Sequence, residues 1–226
     1  MFADGFGAFL TEFGPLLLEG VWATLAMTLI SSALAYLLGI PLGVLLTITA
    51  PGGLKPNRTL SATLGWVVNM GRSLPFVILV VVLIPFTRLV VGTTLGVPGA
   101  IVPLVIAAIP FVARIIENSL AEVPAGVIEA AQACGANTFQ IITKVLLREG
   151  LPSIARSVAL TVITLFGYSA IAGMVGAGGL GDIAIRYGYN RYQDDVLLAA
   201  LVIIIVLIQL IQSACNLLVR HIDKRA

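Results

Sequence analysis

Long runs without a single charge dominate the chain. No Asp, Glu, Lys or Arg falls between Glu19 and Lys55, between Arg88 and Arg114, between Arg156 and Asp182, or between Asp195 and Arg220. About 20 mostly apolar helical residues cross the roughly 30 Å hydrocarbon core of a bilayer. The four gaps therefore predict four spans, about 21–48, 99–120, 152–173 and 196–219. A fifth apolar stretch, about 61–87, is interrupted only by Arg72. None of these runs alternates with the period of two that a barrel strand requires. Backbone groups in lipid must be satisfied within the protein, so all five runs are read as helices.

Ahead of the first span, Phe2, Phe6, Phe9 and Phe13 recur at spacings of four, three and four. That is one helical face, and it predicts a separate short helix over 2–18 lying in the membrane interface. The competing reading is a frayed terminus. No Lys or Arg precedes Lys55, so the pattern is not the basic start of a signal peptide.

Composition agrees with the span pattern. Hydrophobic residues make up 59% of the 226 residues and charged ones 11%, with mean hydropathy +1.07. A soluble domain has about 45–50% and about 25%. A soluble fold, a disordered chain and a fibrous protein are excluded, and two cysteines exclude a disulfide scaffold. A net charge of +2 gives no reason to expect a nucleic-acid partner. The expected fold is an all-α integral membrane protein, 1–226 forming one transmembrane domain surrounded by lipid.

Lys and Arg in the connections set the orientation. Lys55 and Arg58, then Lys144 and Arg148, then Arg220, Lys224 and Arg225 put seven on one side. Arg88, Arg186 and Arg191 put three on the other. The first side is cytoplasmic, which places the N-terminus outside and the C-terminus inside.

The longest cytoplasmic connection, about 121–151, has internal order. Pro124 suits a helix start, Glu129 to Cys134 are mostly good helix formers, and Gly135 suits the left-handed residue past a helix end. Asn137 or Thr138 can cap a second helix carrying Ile141, Ile142, Val145 and Leu146. The first helix is mostly small residues, Ala125, Gly126, Ala130, Ala131 and Ala133. Such a surface either lies against the membrane domain or docks a partner whose backbone must come close.

Glu129-Ala130-Ala131, then Gly135, then Leu151-Pro152 resembles the EAA loop of ABC importer permeases. The resemblance implies that this loop is a coupling helix seated in a cytoplasmic ATPase subunit, with Glu129, Ala130, Ala131, Gly135 and Ala136 as its coupling residues. Arg148 departs from the pattern, since the family often has Pro there. Other segments, Val21 to Thr28, Arg72 to Phe76, Ile84 to Arg88, Pro110 to Asn118, Gly167 to Ala170, Gly176 to Gly181 and Tyr187 to Tyr189, are similar to the methionine-importer branch. The resemblance implies a type I importer permease that works as a homodimer in a bacterial cytoplasmic membrane. It also implies two ATPase subunits that carry ATP and Mg, and an extracytoplasmic binding protein or lipoprotein that delivers D- and L-methionine. Another amino acid or small polar solute is the alternative substrate.

The remaining signals concern the membrane interior. Arg72 is a charge deep in an apolar stretch, three residues before Pro75. It either faces the solute pathway or bundle interior, or snorkels to the interface. Arg88, Arg114 and Arg156 lie at span ends and read as interfacial anchors. Thr161, Thr164 and Tyr168, with Ser169 beside them, form a polar stripe that either lines a gate or bonds helix to helix. Gly176-Ala-Gly178-Gly-Leu-Gly181 spells a dinucleotide fingerprint, but it follows a membrane span rather than a strand, so a glycine turn is the better reading. No P-loop, metal-ligand cluster or nucleophile–base set occurs, which argues against an enzyme. An ion-coupled carrier usually keeps a carboxylate within a span, and Glu117 is the nearest case.

The charge bias predicts a labelling pattern. With Cys134 and Cys215 replaced, Ala8→Cys should react with an impermeant thiol reagent in intact cells, and Ala226→Cys only after permeabilisation. Reaction of both in intact cells contradicts an odd number of spans.

Overall fold

The computed structural model describes residues 2–222. Lys224 and Arg225, which enter the charge count, lie outside the described residues. Eleven α-helices follow in order: α1 (Phe2–Thr49), α2 (Arg58–Ser73), α3 (Phe76–Val82), α4 (Ile84–Val91), α5 (Gly96–Ala121), α6 (Ala125–Ala133), α7 (Thr138–Gln140), α8 (Leu147–Glu149), α9 (Leu151–Ala172), α10 (Gly179–Ile183) and α11 (Asp194–Ile222). Two π-helical segments, Ile141–Leu146 and Ala184–Tyr189, sit between them, Gly173–Ala177 is a wide turn broken at Val175 and Gly176, and the described residues contain no strand.

Four helices are long and apolar enough to cross a bilayer, and the count becomes five if α2 and α3 cross together as one bent span. The spans expected at 21–48, 99–120 and 196–219 fall within α1, α5 and α11, and the one at 152–173 matches α9 to within one residue. The stretch 61–87 is not one helix. Pro75 has no N–H and drives the residue before it out of the helical region, so Leu74 (ψ 124°) and Pro75 (ψ 128°) are extended and α2 ends at Ser73. A second break at Leu83 starts α4, which carries Pro85 in its first turn.

The separate helix expected over 2–18 is absent, because α1 runs unbroken from Phe2 to Thr49. Its buried face explains this. Leu17, Gly20, Thr24, Met27, Thr28, Ser31 and Ala35 form one continuous buried stripe that passes through the expected boundary. Phe9 and Phe13 (ring centroids 5.4 Å apart) extend that stripe toward the N-terminus.

The helices divide into two compact units. The first comprises residues up to Ser32, Pro75–Val105 and Val162–Ile211. Its centre is Leu17, Leu180, Ile183, Val196 and Ala200, with Phe9, Phe13 and Tyr187 packed around them. The second comprises Ala33–Leu74, Ile106–Thr161 and the residues from Gln212 onward. Leu46, Val68 and Ala113 form its centre. Here α1 lies almost backbone to backbone on α5. A Cβ on Gly39 would stand 2.7 Å from Val112 Cγ1, and one on Gly43 would stand 2.7 Å from the Ala113 carbonyl oxygen. On α2, Gly71 makes the same concession to Pro110, at 2.7 Å. Lipid tails are as apolar as leucine, so helices associate in a bilayer through such close packing rather than through hydrophobic burial.

Gly43→Val should therefore abolish the monodisperse peak of the detergent-solubilised protein in size-exclusion chromatography. Gly65→Ala is the control. Nothing lies within 4 Å of its added methyl, and alanine favours the helix by about 1 kcal/mol. That variant should elute like wild type and melt no lower.

Candidate functional site

The loop between α5 and α9 is built by local rules. Pro124 precedes α6, whose end is closed by a left-handed glycine, Gly135 (φ 77°). The Ala136 N–H donates to the Ala131 carbonyl at 3.0 Å and the Gly135 N–H to the Gln132 carbonyl at 2.9 Å. These two bonds make a Schellman cap, which satisfies carbonyls that the helix end would leave open. Asn137, not Thr138, caps the next helix. Its side chain accepts from the Gln140 N–H at 2.9 Å, and the Gln140 side chain accepts from the Asn137 N–H at 2.9 Å. The turn is thus locked on both sides of Gly135.

No residue of α6 is buried. Glu129, Ala130 and Gly135 are exposed, and Ala131 and Ala136 are half-buried. Ala125, Ile128, Glu129 and Gln132 line a cleft of about 490 Å³, whose other wall is the turn Ala50 to Leu54 with Glu117 and Leu120 of α5. Glu129 has no hydrogen bond or ion pair among the described residues. Phe139, in the capped turn, is 73% exposed. Arg148, where the family often carries proline, lies in α8, and Gly150 (φ −77°, ψ −12°) joins α8 to α9 in the right-handed helical region.

The chain matches the family model described as binding-protein-dependent transport system inner membrane component over residues 39–226. The chain belongs to this family. It is a transporter component of the inner membrane, not an enzyme. It is 55% identical over 210 residues to a protein named as a probable D-methionine transport system permease of Vibrio cholerae, covering 93% of each chain. It is 51% identical over 158 residues to the D-methionine transport system permease of Escherichia coli K12, covering 70% of this chain and 73% of that one. In structure it is similar to a chain of the MetNI methionine ABC transporter in inward-facing conformations. The TM-score is 0.93 and the identity 48%, over 94% of this chain and 99% of the other. An amino acid ABC transporter chain at 19% identity shares the fold alone, with a TM-score of 0.76.

In this permease the expected polar stripe divides into different environments. Thr161 is fully buried. Its hydroxyl lies 3.1 Å from Tyr36 Oη and donates to the Ser157 carbonyl at 3.1 Å. Tyr36 also meets the Ser157 hydroxyl at 3.0 Å, so three hydroxyls clasp α1 to α9. Ser169 is buried and donates to the Phe166 carbonyl at 2.8 Å. Thr164 is half-buried. Tyr168 is also half-buried and stacks on Phe76, the residue after Pro75, with centroids 4.6 Å apart and planes 6° from parallel. That pairing links α3 to α9, and no sequence spacing announced it. Arg72 and Pro75 are exposed.

Arg114 is more than an anchor. It donates to Glu117 at 2.7 Å one turn away and to Asn69 of α2 at 3.3 Å. The i, i+3 spacing of Arg114 and Glu117 was the available signal; the Asn69 contact had none.

The glycine cluster is a turn, as expected. Gly176, Gly178 and Gly179 have φ of 96°, 77° and 84°. The following Leu180 is fully buried, and its N–H donates to Thr24 Oγ1 of α1 at 2.9 Å. A Cβ on Gly179 would stand 2.8 Å from that same oxygen. Beyond the turn Arg186 pairs with Asp182 at 2.8 Å, and Arg186 and Arg191 lie 5.1 and 4.5 Å from the Tyr187 ring centre.

Proposed function

We propose that this chain is the membrane-spanning subunit of an ATP-driven methionine importer. Two copies form the translocation path, and two separate ATPase subunits, which bind ATP and Mg, dock on α6. A binding protein outside delivers D- or L-methionine. The N-terminus faces outside and the C-terminus the cytoplasm. The observation that carries this reading is α6 itself. It is a nine-residue helix locked by a glycine cap and a capping box, with no residue buried and seven of the nine exposed, in a chain that follows a MetNI chain closely.

Coupling follows from that geometry. Small side chains at Ala130, Ala131 and Ala136 let a partner surface approach the backbone, and Glu129 supplies an acceptor at the rim. Phe139 adds an apolar contact beside them. Closure of the ATPase pair on ATP moves the two α6 helices together. The rigid turn passes that motion through Ile141–Leu146 into α9, and the path changes from inward-open to outward-open. On α9 the stripe takes two roles. Thr161 clasps α9 to α1 and Ser169 turns back on its own helix, while Thr164 and Tyr168, with Arg72 and Pro75 on the broken span, belong to the pathway and gate. An ion-coupled carrier is disfavoured because the best in-span carboxylate, Glu117, is already engaged by Arg114.

Purification of the tagged chain in mild detergent should bring down a P-loop ATPase in equal amount. Gly135→Val should insert at wild-type levels but lose the ATPase or coupled uptake. The left-handed φ costs a non-glycine residue about 1–2 kcal/mol, and branching adds to that. Gly135→Ala, with open space around its methyl, should be milder, as should Glu129→Ala. Wild-type uptake by Gly135→Val with the ATPase bound removes the docking role.

Tyr168→Phe keeps the stack on Phe76 and should transport normally. Tyr168→Ala removes an aromatic contact worth about 0.5–1.5 kcal/mol. It should reduce uptake or raise ATP hydrolysis without transport in an assembled complex. Unchanged uptake and coupling would assign the ring to packing.

A further inference from the structure

We infer that Arg72 is the pathway residue that receives the carboxylate of the passing solute. The inference rests on the importer reading above and deepens it. Arg72 stands alone in an apolar region, with 13 uncharged residues before it back to Arg58 and 15 after it up to Arg88. Its neighbour Gly71 lies against Pro110, near the middle of α5, a helix long and apolar enough to cross a bilayer, which sets Arg72 at membrane depth. A guanidinium at that depth needs water or an anion, since hydrocarbon offers neither.

Among the described residues no acid pairs with Arg72, and polar groups of α2 and of the adjoining α5 are committed elsewhere. Glu117, the acid within the adjacent span, is held by Arg114 at 2.7 Å. The Asn69 side chain accepts from Arg114 at 3.3 Å. The Ser73 hydroxyl turns back to the Asn69 carbonyl at 2.9 Å. Arg72 has no hydrogen bond or ion pair among the described residues, and it is exposed. Its position on α2 is also fixed. Val68 is 1% exposed and Gly71 is pressed on Pro110, so the inner face of the helix cannot rotate to take Arg72 inward.

The backbone supports the same assignment. The helix ends one residue later, and Leu74 and Pro75 continue as extended chain. Irregular backbone at membrane depth is tolerated where it lines a cavity or is buried in protein. An unpaired guanidinium at such a break is a fork of donors suited to a carboxylate, and weak enough as a single contact to release it. An α-amino acid carries that carboxylate whatever its side chain or its D or L configuration. Arg72 therefore selects the zwitterionic class, not the side chain.

The test uses the complete transporter, with its ATPase and binding protein, in proteoliposomes. Arg72→Cys is made in a background carrying Cys134→Ser and Cys215→Ala. Uptake should fall to a tenth or less of that background. A cationic methanethiosulfonate restores a positive charge at the thiol and should raise uptake at least fivefold; the anionic reagent should react without restoring it. Arg72→Lys, a second route if the cysteine variant assembles poorly, should keep at least a third of wild-type uptake. Uptake by Arg72→Cys within twofold of its background overturns the proposal. So does a thiol that reacts only with lipophilic maleimides, which would place the residue against lipid, and so does equal rescue by both reagents. A lower melting temperature of the complex in Arg72→Gln would assign the charge to an acid of a neighbouring subunit and overturns it too. If the unmodified chain recruits no ATPase, the importer reading has failed instead.

Discussion

The approach of α1 to α5 at Gly39 and Gly43 is the constraint on which the second unit depends. A membrane domain gains little from burying one apolar helix against another, because the tails around it are equally apolar. What remains is contact quality. Two glycines one turn apart remove the side chains that would hold the backbones apart, and Val112, Ala113 and Ile116 fill the space. With α5 seated, Gly71 meets Pro110 and Asn69 reaches Arg114, so α2 takes its place from the same surface. The end of α5 in turn forms one wall of the cleft beside α6.

A second theme is the satisfaction of polar groups away from water. The Leu180 N–H finds Thr24, and Tyr36 collects Ser157 and Thr161. Each is a polar bond between segments distant in sequence, placed where an unmet group would be costly. The buried hydroxyls of Ser31 and Ser32 are exceptions, without a hydrogen-bond partner among the described residues. The charges follow the same economy. Glu117 is paired with Arg114 and Asp182 with Arg186, while Arg72 has no acid partner among the described residues.

The cytoplasmic turn shows rigidity obtained from a few residues. A left-handed glycine, two backbone bonds and one reciprocal Asn–Gln pair define the path from α6 to the next helix without any buried side chain on α6. A surface helix held from its ends leaves the face turned away from the cleft exposed.

Much of this was legible in the residues alone, because its causes are local. Charge-free runs marked α1, α5, α9 and α11, since a bilayer sets a minimum apolar length. Pro124, Gly135 and Asn137 marked the ends of their helices through backbone chemistry that acts within a few residues. The EAA pattern and the segments around it pointed to the permease family before any coordinates. Other features lay beyond reach because their partners are distant in the chain. Helical spacing separated Phe2 to Phe13 into an interfacial helix, whereas Phe9 and Phe13 pack on the cluster of Leu17, Leu180 and Val196 as part of one continuous α1. The stripe of Thr161, Thr164 and Tyr168 looked like one surface. Tertiary contacts gave Thr161 to Tyr36 and Tyr168 to Phe76. Pro75 warned of a kink, but only the folded chain showed a helix that stops and restarts. Periodicity says which residues share a face of their own helix. Which neighbour covers that face depends on how helices meet, and that is decided by shape and polar satisfaction between segments far apart in sequence.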